Sequence, residues 1–425
     1  MSIDIYAKFA EISPVILCIL CINFGEKALA SGMDFEYNKE RIPVGLQILP
    51  VQRCFMHKFM NNSYMEIDTG ILLENVNAIL KSLDGAALIP VLKDDAYGLG
   101  MAAIAAVLCT VPEIRCFAVS HVSEGLDLRK SGVDRELLIM SSALPFQLEA
   151  AVEADLTLTC ARLDFLPALA EAAEKVGKKA KIQIKIDAGL HRIGLEPNEL
   201  DAFIEEYHQC REHLEVTGVY SHFSDAENAA LDEQQFQLFE EASEKLRAAG
   251  VPVPMRHMSN SAAAELFPQY HLDAVRIGRR LFMDRTEDPL YDVREVASWR
   301  SYITNLKLRH PGDQLGYGGA VTLKRDTLVA TVGVGYGDGL NQDLFKVRAP
   351  VLVNGRRGHL LACCMDQCMV DVTDLDCKVG DEVTFFGYDG LGNFLSSQSQ
   401  AALVNHDEGC GLTSALSPRV KRIYK

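Results

Sequence analysis

Side chains that could take part in catalysis follow several apolar runs of the sequence, at or near the point where each run ends. They are Lys93, Lys185, Asp187, His222, Asn260, Ser261 and Arg276. A lysine amine can form a Schiff base with an aldehyde, whereas arginine, amide and hydroxyl groups can hold a phosphate. Such a set, if it converges, could bind an anionic aldehyde cofactor with an attached substrate. Pyridoxal 5'-phosphate is the obvious candidate.

Alternating strand and helix signals would position these side chains. Apolar runs of β type alternate with amphipathic helical stretches from Tyr64 onward. The runs cover 87–92, 116–119, 137–140, 156–159, 182–186 and 216–220, and the helical stretches include 71–83, 165–176, 199–207 and 233–249. This alternation predicts parallel strands covered by helices.

A (β/α)8 barrel explains the region 64–295 better than an open sheet. Its length is typical of a barrel, and no GxGxxG fingerprint follows the first predicted strand. The carboxyl ends of the strands in such a barrel meet at one rim, where the chemistry takes place. We therefore expect the side chains named above to gather at that rim.

The region 296–425 has a different texture. Short β runs at 328–334, 351–353, 369–372 and 382–386 are separated by turns, and Asn354-Gly355 is a hairpin signal. The predicted fold class is α/β, with a (β/α)8 TIM-type barrel followed by a C-terminal mostly-β domain.

Composition excludes several classes of protein. The 425 residues include 42 Lys+Arg against 58 Asp+Glu, with a formal net charge of -16 and 48% hydrophobic residues. These values exclude disorder, collagen and a membrane bundle, and they argue against nucleic acid because no Lys/Arg stripe is present to bind phosphates. The twelve cysteines lie mostly in apolar runs, so we interpret them as free thiols of a reducing compartment without a bound metal. The expected partners are a small molecule and a second copy of the chain.

Residues 1–60 lack periodic structure signals. The apolar run Val15 to Ile22 is too short to span a bilayer, which requires about 20 residues. Ala28-Leu29-Ala30 fits a signal-peptide cleavage pattern, but the preceding segment lacks the expected positive charge. We favour a leader that is disordered or an over-extended start, and a cytoplasmic protein. Export is the alternative.

Eight motifs resemble those of the alanine racemases, in the same order along the chain. They are VLKDDAYGLG, KIDAGLHRIG, YSHFSDAEN, SNSAAAELFP, DAVRIG, LGYGGAV, VGVGYGDG and CCMDQCMVD. The likeness runs from about Tyr64 to the C-terminus. It implies a pyridoxal-phosphate-dependent isomerase that interconverts L- and D-alanine by a two-base mechanism and supplies D-alanine for peptidoglycan. It also implies a homodimer whose active sites are shared between subunits.

The resemblance implies a role for each matching residue. Lys93 would be the Schiff-base lysine and one catalytic base, and Tyr317 of the partner chain would be the second base. Tyr97, Asn260, Ser261 and Gly278 would bind the phosphate, while Arg276 would face the pyridine nitrogen and His222 would lie beside the ring. Arg192 and the backbone of Met365 would hold the substrate carboxylate, and Tyr336 would narrow the entrance. Lys185 matches a lysine that is carbamylated in some relatives.

Simpler interpretations exist for each residue taken alone. Lys93 could be a solvated strand-end lysine, His222 a core histidine, and Lys185 the partner of Asp187 in a surface ion pair. Two other functions also fit the motifs. One is a serine or broad-specificity amino-acid racemase, and the other is a non-catalytic protein that binds pyridoxal phosphate.

Some positions depart from the motifs of the family. Asp94 replaces a small residue, Leu99 stands where histidine is frequent, and Pro418 stands where some members place a phosphate-binding tyrosine. Arg279 and Arg280 occupy usually apolar positions, where they could add charge near the phosphate or face solvent.

Overall fold

The computed structural model of the chain describes residues 61–226, 228–283, 292–404 and 409–425. The predicted leader, residues 1–60, lies outside the described residues. Contacts between Cα atoms divide the chain into a unit of residues 72–294, here the barrel unit, and a unit that joins the segment up to residue 71 with 295–425, here the β unit. No helix among the described residues is long and apolar enough to cross a membrane.

The strands and helices have the following bounds. The strands are β1 (Ser63–Ile67), β2 (Ala87–Pro90), β3 (Cys116–Val119), β4 (Glu136–Ile139), β5 (Thr157–Cys160), β6 (Ala180–Lys185), β7 (Leu214–Tyr220), β8 (Arg256–His257), β9 (Ala274–Ile277), β10 (Ala297–Arg309), β11 (Gln314–Leu315), β12 (Val321–Thr322), β13 (Thr327–Val332), β14 (Pro350–Val353), β15 (Arg356–Cys363), β16 (Cys368–Asp371), β17 (Glu382–Tyr388), β18 (Phe394–Leu395) and β19 (Lys421–Tyr424). The helices are α1 (Thr69–Ser82), α2 (Met101–Leu108), α3 (Val122–Lys130), α4 (Leu148–Glu153), α5 (Phe165–Val176), α6 (Leu200–Cys210), α7 (Ala229–Ala248), α8 (Ser261–Leu266), α9 (Arg279–Phe282), α10 (Asp343–Lys346), α11 (Ser397–Ala402) and α12 (Cys410–Ser414).

The predicted barrel is confirmed. Eight parallel strands form one sheet in the order β2-β9-β8-β7-β6-β5-β4-β3. The ring closes between β2 and β3 through a single parallel bridge, Val91 to Ala118. Strand β3 is buried at every residue, which explains why 116–119 is a continuous apolar run rather than an alternating pattern.

The predicted C-terminal β domain is also confirmed. Its main sheet has the order β18-β17-β14-β15-β16-β13-β10-β1-β19, and an additional pairing of β17 with β10 closes part of it on itself. Asn354 and Gly355 join β14 to β15, as the hairpin signal indicated. Both residues have positive φ angles, 49° and 78°, which the favoured two-residue hairpin turn requires.

The first described strand belongs to the β unit rather than to the barrel. The sequence analysis placed Tyr64 at the start of the barrel, but β1 pairs antiparallel with β10 and parallel with β19. Tyr64, Met65 and Ile67 are completely buried there. Periodicity identifies a strand without identifying its partner, and here both partners lie more than two hundred residues later in the sequence.

Candidate active site

A left-handed turn follows the first barrel strand and carries Lys93. Four consecutive non-glycine residues, 94–97, have φ angles between 53° and 56°. Left-handed backbone costs an L-residue roughly 1–2 kcal/mol, so the surroundings must hold this turn in place. The Asp94 amide donates to the Glu124 carboxylate at 2.7 Å, and Leu99 is completely buried.

The turn brings Tyr97 against the loop that follows β9. A Cβ atom built on Gly278 would lie 2.1 Å from Tyr97 Oη, so any other residue at this position would displace the Tyr97 side chain. The Gly278 amide donates to Ser261 Oγ at 3.3 Å. The Asn260 side chain accepts hydrogen bonds from the amides of residues 262 and 263 and so begins α8. Hydroxyl and backbone N–H groups are thereby concentrated at one end of the site, an arrangement suited to a phosphate.

Arg276 organises the centre of the site. Its guanidinium is only 3% exposed and donates to the carbonyl oxygens of Ser221 at 2.7 Å and Met258 at 3.0 Å. The same group lies 2.5 Å from His257 Nδ1 and 3.2 Å from His222 Nδ1. Burial lowers the pKa of Arg276 to about 10.

Both histidines next to Arg276 are neutral. Burial and then the Arg276 charge hold the pKa values of His222 and His257 well below the usual range for imidazole. Since a guanidinium only donates, the Nδ1 atom of each ring must accept. His257 Nε2 then donates to Gln183 Oε1 at 2.8 Å, which fixes its tautomer. His222 is partly exposed and lines the cavity, so it differs from the buried His257 and is not a core histidine.

Lys185 is buried and is therefore not the surface partner of Asp187. It is 3% exposed, and its Nζ lies 4.7 Å from the centre of the Tyr220 ring. Burial first, and then the charges of Arg276 and Arg192, lower the pKa of Lys185 to about 7. The Asp187 carboxylate accepts from the backbone amides of the following loop, including that of Arg192 at 3.1 Å.

A cavity of about 360 Å³ opens between these groups. Its lining includes Lys93, Tyr97, Lys185, Arg192, His222, Asn260, Ser261, Arg276 and Gly278, whereas Asp187, which was expected at the same rim, is not part of it. The predicted convergence at the strand ends is thus observed. The cationic side chains of this lining give the cavity a positive electrostatic potential, which favours an anionic ligand.

Sequence reasoning missed several residues of the lining. Ser120 directly follows β3, and Ser141 and Ser142 follow β4 after one intervening residue, so the strand-end rule that found Lys93 could also have found them. Tyr220 ends β7 and stacks on His257 with the ring centres 5.0 Å apart. Burial raises its pKa to about 12, and its hydroxyl lies 2.6 Å from Thr159 Oγ1.

The remaining predicted residues lie in the β unit. Tyr336 and Met365 are on adjacent loops, because the Tyr336 amide donates to the Cys364 carbonyl at 3.1 Å and the Gly337 amide to the Met365 carbonyl at 2.8 Å. Tyr317 lies between β11 and β12 and is 80% exposed.

A larger depression in the β unit holds none of the predicted residues. It measures about 790 Å³ and is more open than the barrel cavity. Arg325 and Arg348 line it and both donate to the buried Asp371 carboxylate at 3.1 Å. These ion pairs give the arginines a structural role, so the barrel cavity is the candidate active site.

The departures from the family motifs have different structural outcomes. Arg280 neither faces solvent nor adds free charge near the phosphate end, because it is buried in an ion pair with Glu265 at 3.0 Å. Arg279 is half-buried. Leu99 is part of the core, whereas Asp94 and Pro418 are exposed.

Comparison with known proteins matches nearly all of the described region. The family model for the alanine racemase N-terminal domain matches residues 67–286, and that for the C-terminal domain matches residues 296–424. An alanine racemase of Halothermothrix orenii is 32% identical over 373 residues, which cover 85% of this chain and 97% of the relative. One of Clostridium novyi is 31% identical, covering 87% and 97%.

Solved structures give the same result. An alanine racemase of Clostridium difficile 630 superposes with a TM-score of 0.79 at 29% identity, covering 86% of this chain and 96% of the other. Another structure of it is a complex with cycloserine. The alanine racemase of Bacillus anthracis with bound L-Ala-P has a TM-score of 0.80 at 26% identity, covering 86% and 95%.

The buried Lys185 should make stability depend on pH. Its pKa falls from 10.5 to about 7 on folding, so between these values the unfolded chain binds a proton that the native protein has lost. Native stability therefore rises with pH in this window. We expect Lys185→Met to be more stable than the wild type at pH 6. Its advantage should shrink by roughly 1.4 kcal/mol per pH unit above pH 7.

Urea unfolding at pH 6, 8 and 10 measures this difference, on protein freed of bound anions and in buffers without carbon dioxide or bicarbonate, so that Lys185 stays an amine. Lys181→Met is the matched control, because Lys181 lies on the same strand but forms a partly exposed ion pair with Asp155. A stability advantage of Lys185→Met that stays constant across this pH range would contradict the lowered pKa of Lys185.

Proposed function

We propose that this chain, which belongs to the alanine racemase family, interconverts L- and D-alanine with pyridoxal phosphate as its cofactor. The observation that supports the proposal is the convergence of Lys93, Arg276 and a set of hydroxyl and amide donors suited to a phosphate around one barrel cavity. The product D-alanine would serve peptidoglycan synthesis. The free thiols of the described cysteines support a reducing compartment such as the cytoplasm.

The residues of the cavity fit pyridoxal phosphate. Tyr97, Ser261 and the Gly278 amide supply donors for its phosphate at one end, and Arg276 would face the pyridine nitrogen. Lys93 lines the same cavity and would provide the amine that links to the aldehyde. When bound, the cofactor withdraws electrons from the substrate and acidifies the proton on its α-carbon. The neutral His222 can pack beside the ring without adding a further positive charge.

Two bases are needed because racemisation removes a proton from one face of a carbon and returns one to the other face. Lys93 would act from the barrel side. Tyr317 would act from the opposite side, supplied by the β unit of a second copy of the chain. The 80% exposure of Tyr317 supports this arrangement, because the side chain is available to another molecule. The functional assembly would therefore be a homodimer with shared sites.

Substrate binding would use the barrel unit of one chain and the β unit of a second copy. The Arg192 guanidinium lines the barrel cavity and can pair with the substrate carboxylate. The backbone of Met365 would bind the same carboxylate, and Tyr336 beside it would limit the size of the substrate side chain. Their hydrogen-bonded loops hold both residues at one place in the β unit.

Lys185 has the properties of a carbamylation site. A pKa of about 7 leaves much of its amine neutral near pH 7, and only the neutral amine can attack carbon dioxide. The resulting carbamate would carry a negative charge toward Arg192 and Arg276, the two cations that depress this pKa. Such a group would orient Arg192 for the substrate and relieve the repulsion between the buried cations.

The first test is D-isomer formation by purified protein with added pyridoxal phosphate, given L-alanine and L-serine in parallel. We expect rapid D-alanine formation and little D-serine. Tyr317→Phe should keep the bound cofactor, followed by its absorbance, and lose turnover by at least about a hundredfold. Preferential formation of D-serine would contradict alanine as the substrate. Bound cofactor with no product from either amino acid would favour a non-catalytic binding protein.

Subunit mixing tests the shared site. Lys93→Ala and Tyr317→Phe should each be inactive alone. When the two are co-expressed, about half of randomly paired dimers contain one chain of each kind, and each mixed dimer has one intact site. Activity should then recover to about a quarter of the wild-type value. If Lys93 and Tyr317 of the same chain formed the site, the mixture would remain inactive.

The carbamate can be observed directly. Protein equilibrated with 13C-bicarbonate should show a carbamate resonance by 13C NMR that Lys185→Met lacks and Lys181→Met retains. A wild-type protein without this resonance would mean that Lys185 stays an unmodified amine.

A further inference from the structure

Two cysteines face each other across the hairpin that carries Met365. In the register of β15 and β16, Cys363 lies directly opposite Cys368, and Ala362 lies opposite Met369. Residues opposite each other in an antiparallel pair project their side chains from the same face of the sheet. The two thiols therefore lie side by side at the base of the loop 364–367.

The hydrogen-bond pattern identifies the type of pair. The Cys364 amide donates to the Gln367 carbonyl at 2.7 Å, so the pair 364/367 is a hydrogen-bonded position. The next pair, 363/368, is then non-hydrogen-bonded, a position where Cα atoms approach to about 4.5 Å. Disulfides join Cα atoms about 4.4–6.8 Å apart. A bond between Cys363 and Cys368 thus needs little movement of the backbone.

We propose that Cys363 and Cys368 are a site of oxidative modification, where a peroxide converts the two free thiols into a disulfide. The Cys363 thiolate attacks hydrogen peroxide to give a sulfenic acid and hydroxide. Cys368 then displaces the hydroxyl group, forms the S–S bond and loses its own proton, so that two molecules of water are released. Cys363 is the entry point, because it is partly exposed whereas Cys368 is completely buried.

The chemistry of the thiols makes this a slow and persistent change. Burial raises the pKa of Cys363 to about 11, and that of Cys368 also lies well above its usual value. Only the thiolate reacts, so the rate should rise about tenfold per pH unit below pH 11. Thiols of high pKa are also poor leaving groups, which slows reduction of the disulfide. The site would record sustained exposure to peroxide rather than a brief pulse.

The disulfide would tie together the two strand ends that carry the Met365 loop, and so restrict that loop without a large movement of the backbone. The carbonyl groups of Cys364 and Met365 accept the amides of Tyr336 and Gly337, so the two loops move together. A Cβ atom built on Gly335 would lie 2.3 Å from the Cys364 carbonyl oxygen, so the two loops are in close backbone contact. This consequence rests on the proposed function, in which Met365 binds the substrate carboxylate. We expect oxidation to raise the KM for alanine at least threefold while the cofactor stays bound.

Peptide mapping tests the modification itself. The holoenzyme is treated with hydrogen peroxide at pH 8 and pH 9, quenched with a thiol-blocking reagent, and digested without reductant. We expect loss of two hydrogen atoms from the peptide that joins Cys363 to Cys368, about ten times faster at the higher pH. Cys363→Ser should abolish this bond. Cys364→Ser is the matched control and should retain it, because Cys364 lies opposite Gln367 rather than a cysteine.

The outcomes separate the site from the activity. A bond between Cys364 and Cys368, or oxidation of Cys363 to sulfinic acid without a bond, overturns the proposed pair whatever the enzyme catalyses. A complete Cys363–Cys368 bond in a racemase with unchanged KM overturns the effect on the substrate loop. If no racemase activity exists at all, the mapping result still stands and only the proposed function fails.

Discussion

The concentration of positive charge in the barrel cavity is the constraint on which the site depends. Lys93, Lys185, Arg192 and Arg276 all line one small volume. Removing such charges from water is costly, and each disfavours the charged form of the others. The low pKa values of the two histidines and of Lys185 follow first from burial and then from this crowding. A ligand with both a phosphate and a carboxylate would complement it.

Steric precision at the rim complements this electrostatic design. The left-handed turn after Lys93 is unfavourable for every non-glycine residue in it, yet it places Tyr97 against Gly278. Strain of this kind persists only where the surrounding structure fixes the chain. Favourable packing elsewhere in the barrel thus offsets the cost of the left-handed turn, which holds the Tyr97 hydroxyl close to the Gly278 backbone. The energy stored near Lys93 is consistent with a site that must be formed before its ligand arrives.

Much of this organisation could be predicted from the sequence, because it follows from local patterns. Strand-end positions in the predicted barrel identified Lys93, His222 and Arg276, all of which line the cavity. Properties that depend on distant neighbours could not be found in this way. The pairing of Tyr64 with the β unit and the ion pair of Arg280 depend on residues far along the chain or on the other side of the core.

The backbone conformation after Lys93 and the burial of Lys185 could not be predicted from local sequence patterns either. Nothing in the sequence between Lys93 and Gly98 indicates four successive left-handed residues, since aspartate, alanine and tyrosine all disfavour that conformation as a run. Whether Lys185 is exposed or buried depends on the layers of side chains inside the barrel, which periodicity along β6 does not specify. The family motifs located these residues, and the fold determined their physical state.

The closure of the barrel has a consequence for the order in which the chain becomes structured during its synthesis. Strand β2 shares a single bridge with its sequence neighbour β3, whereas its ladder of four residue pairs is with β9, from Ala274 to Ile277. The strand that leads to Lys93 therefore waits for roughly 190 residues to be made before its main partner exists. At about 5–20 residues per second, this delay is on the order of ten to forty seconds. During that time the apolar strand β2 has an unpaired edge, and a ribosome-associated chaperone would have its best opportunity to bind there.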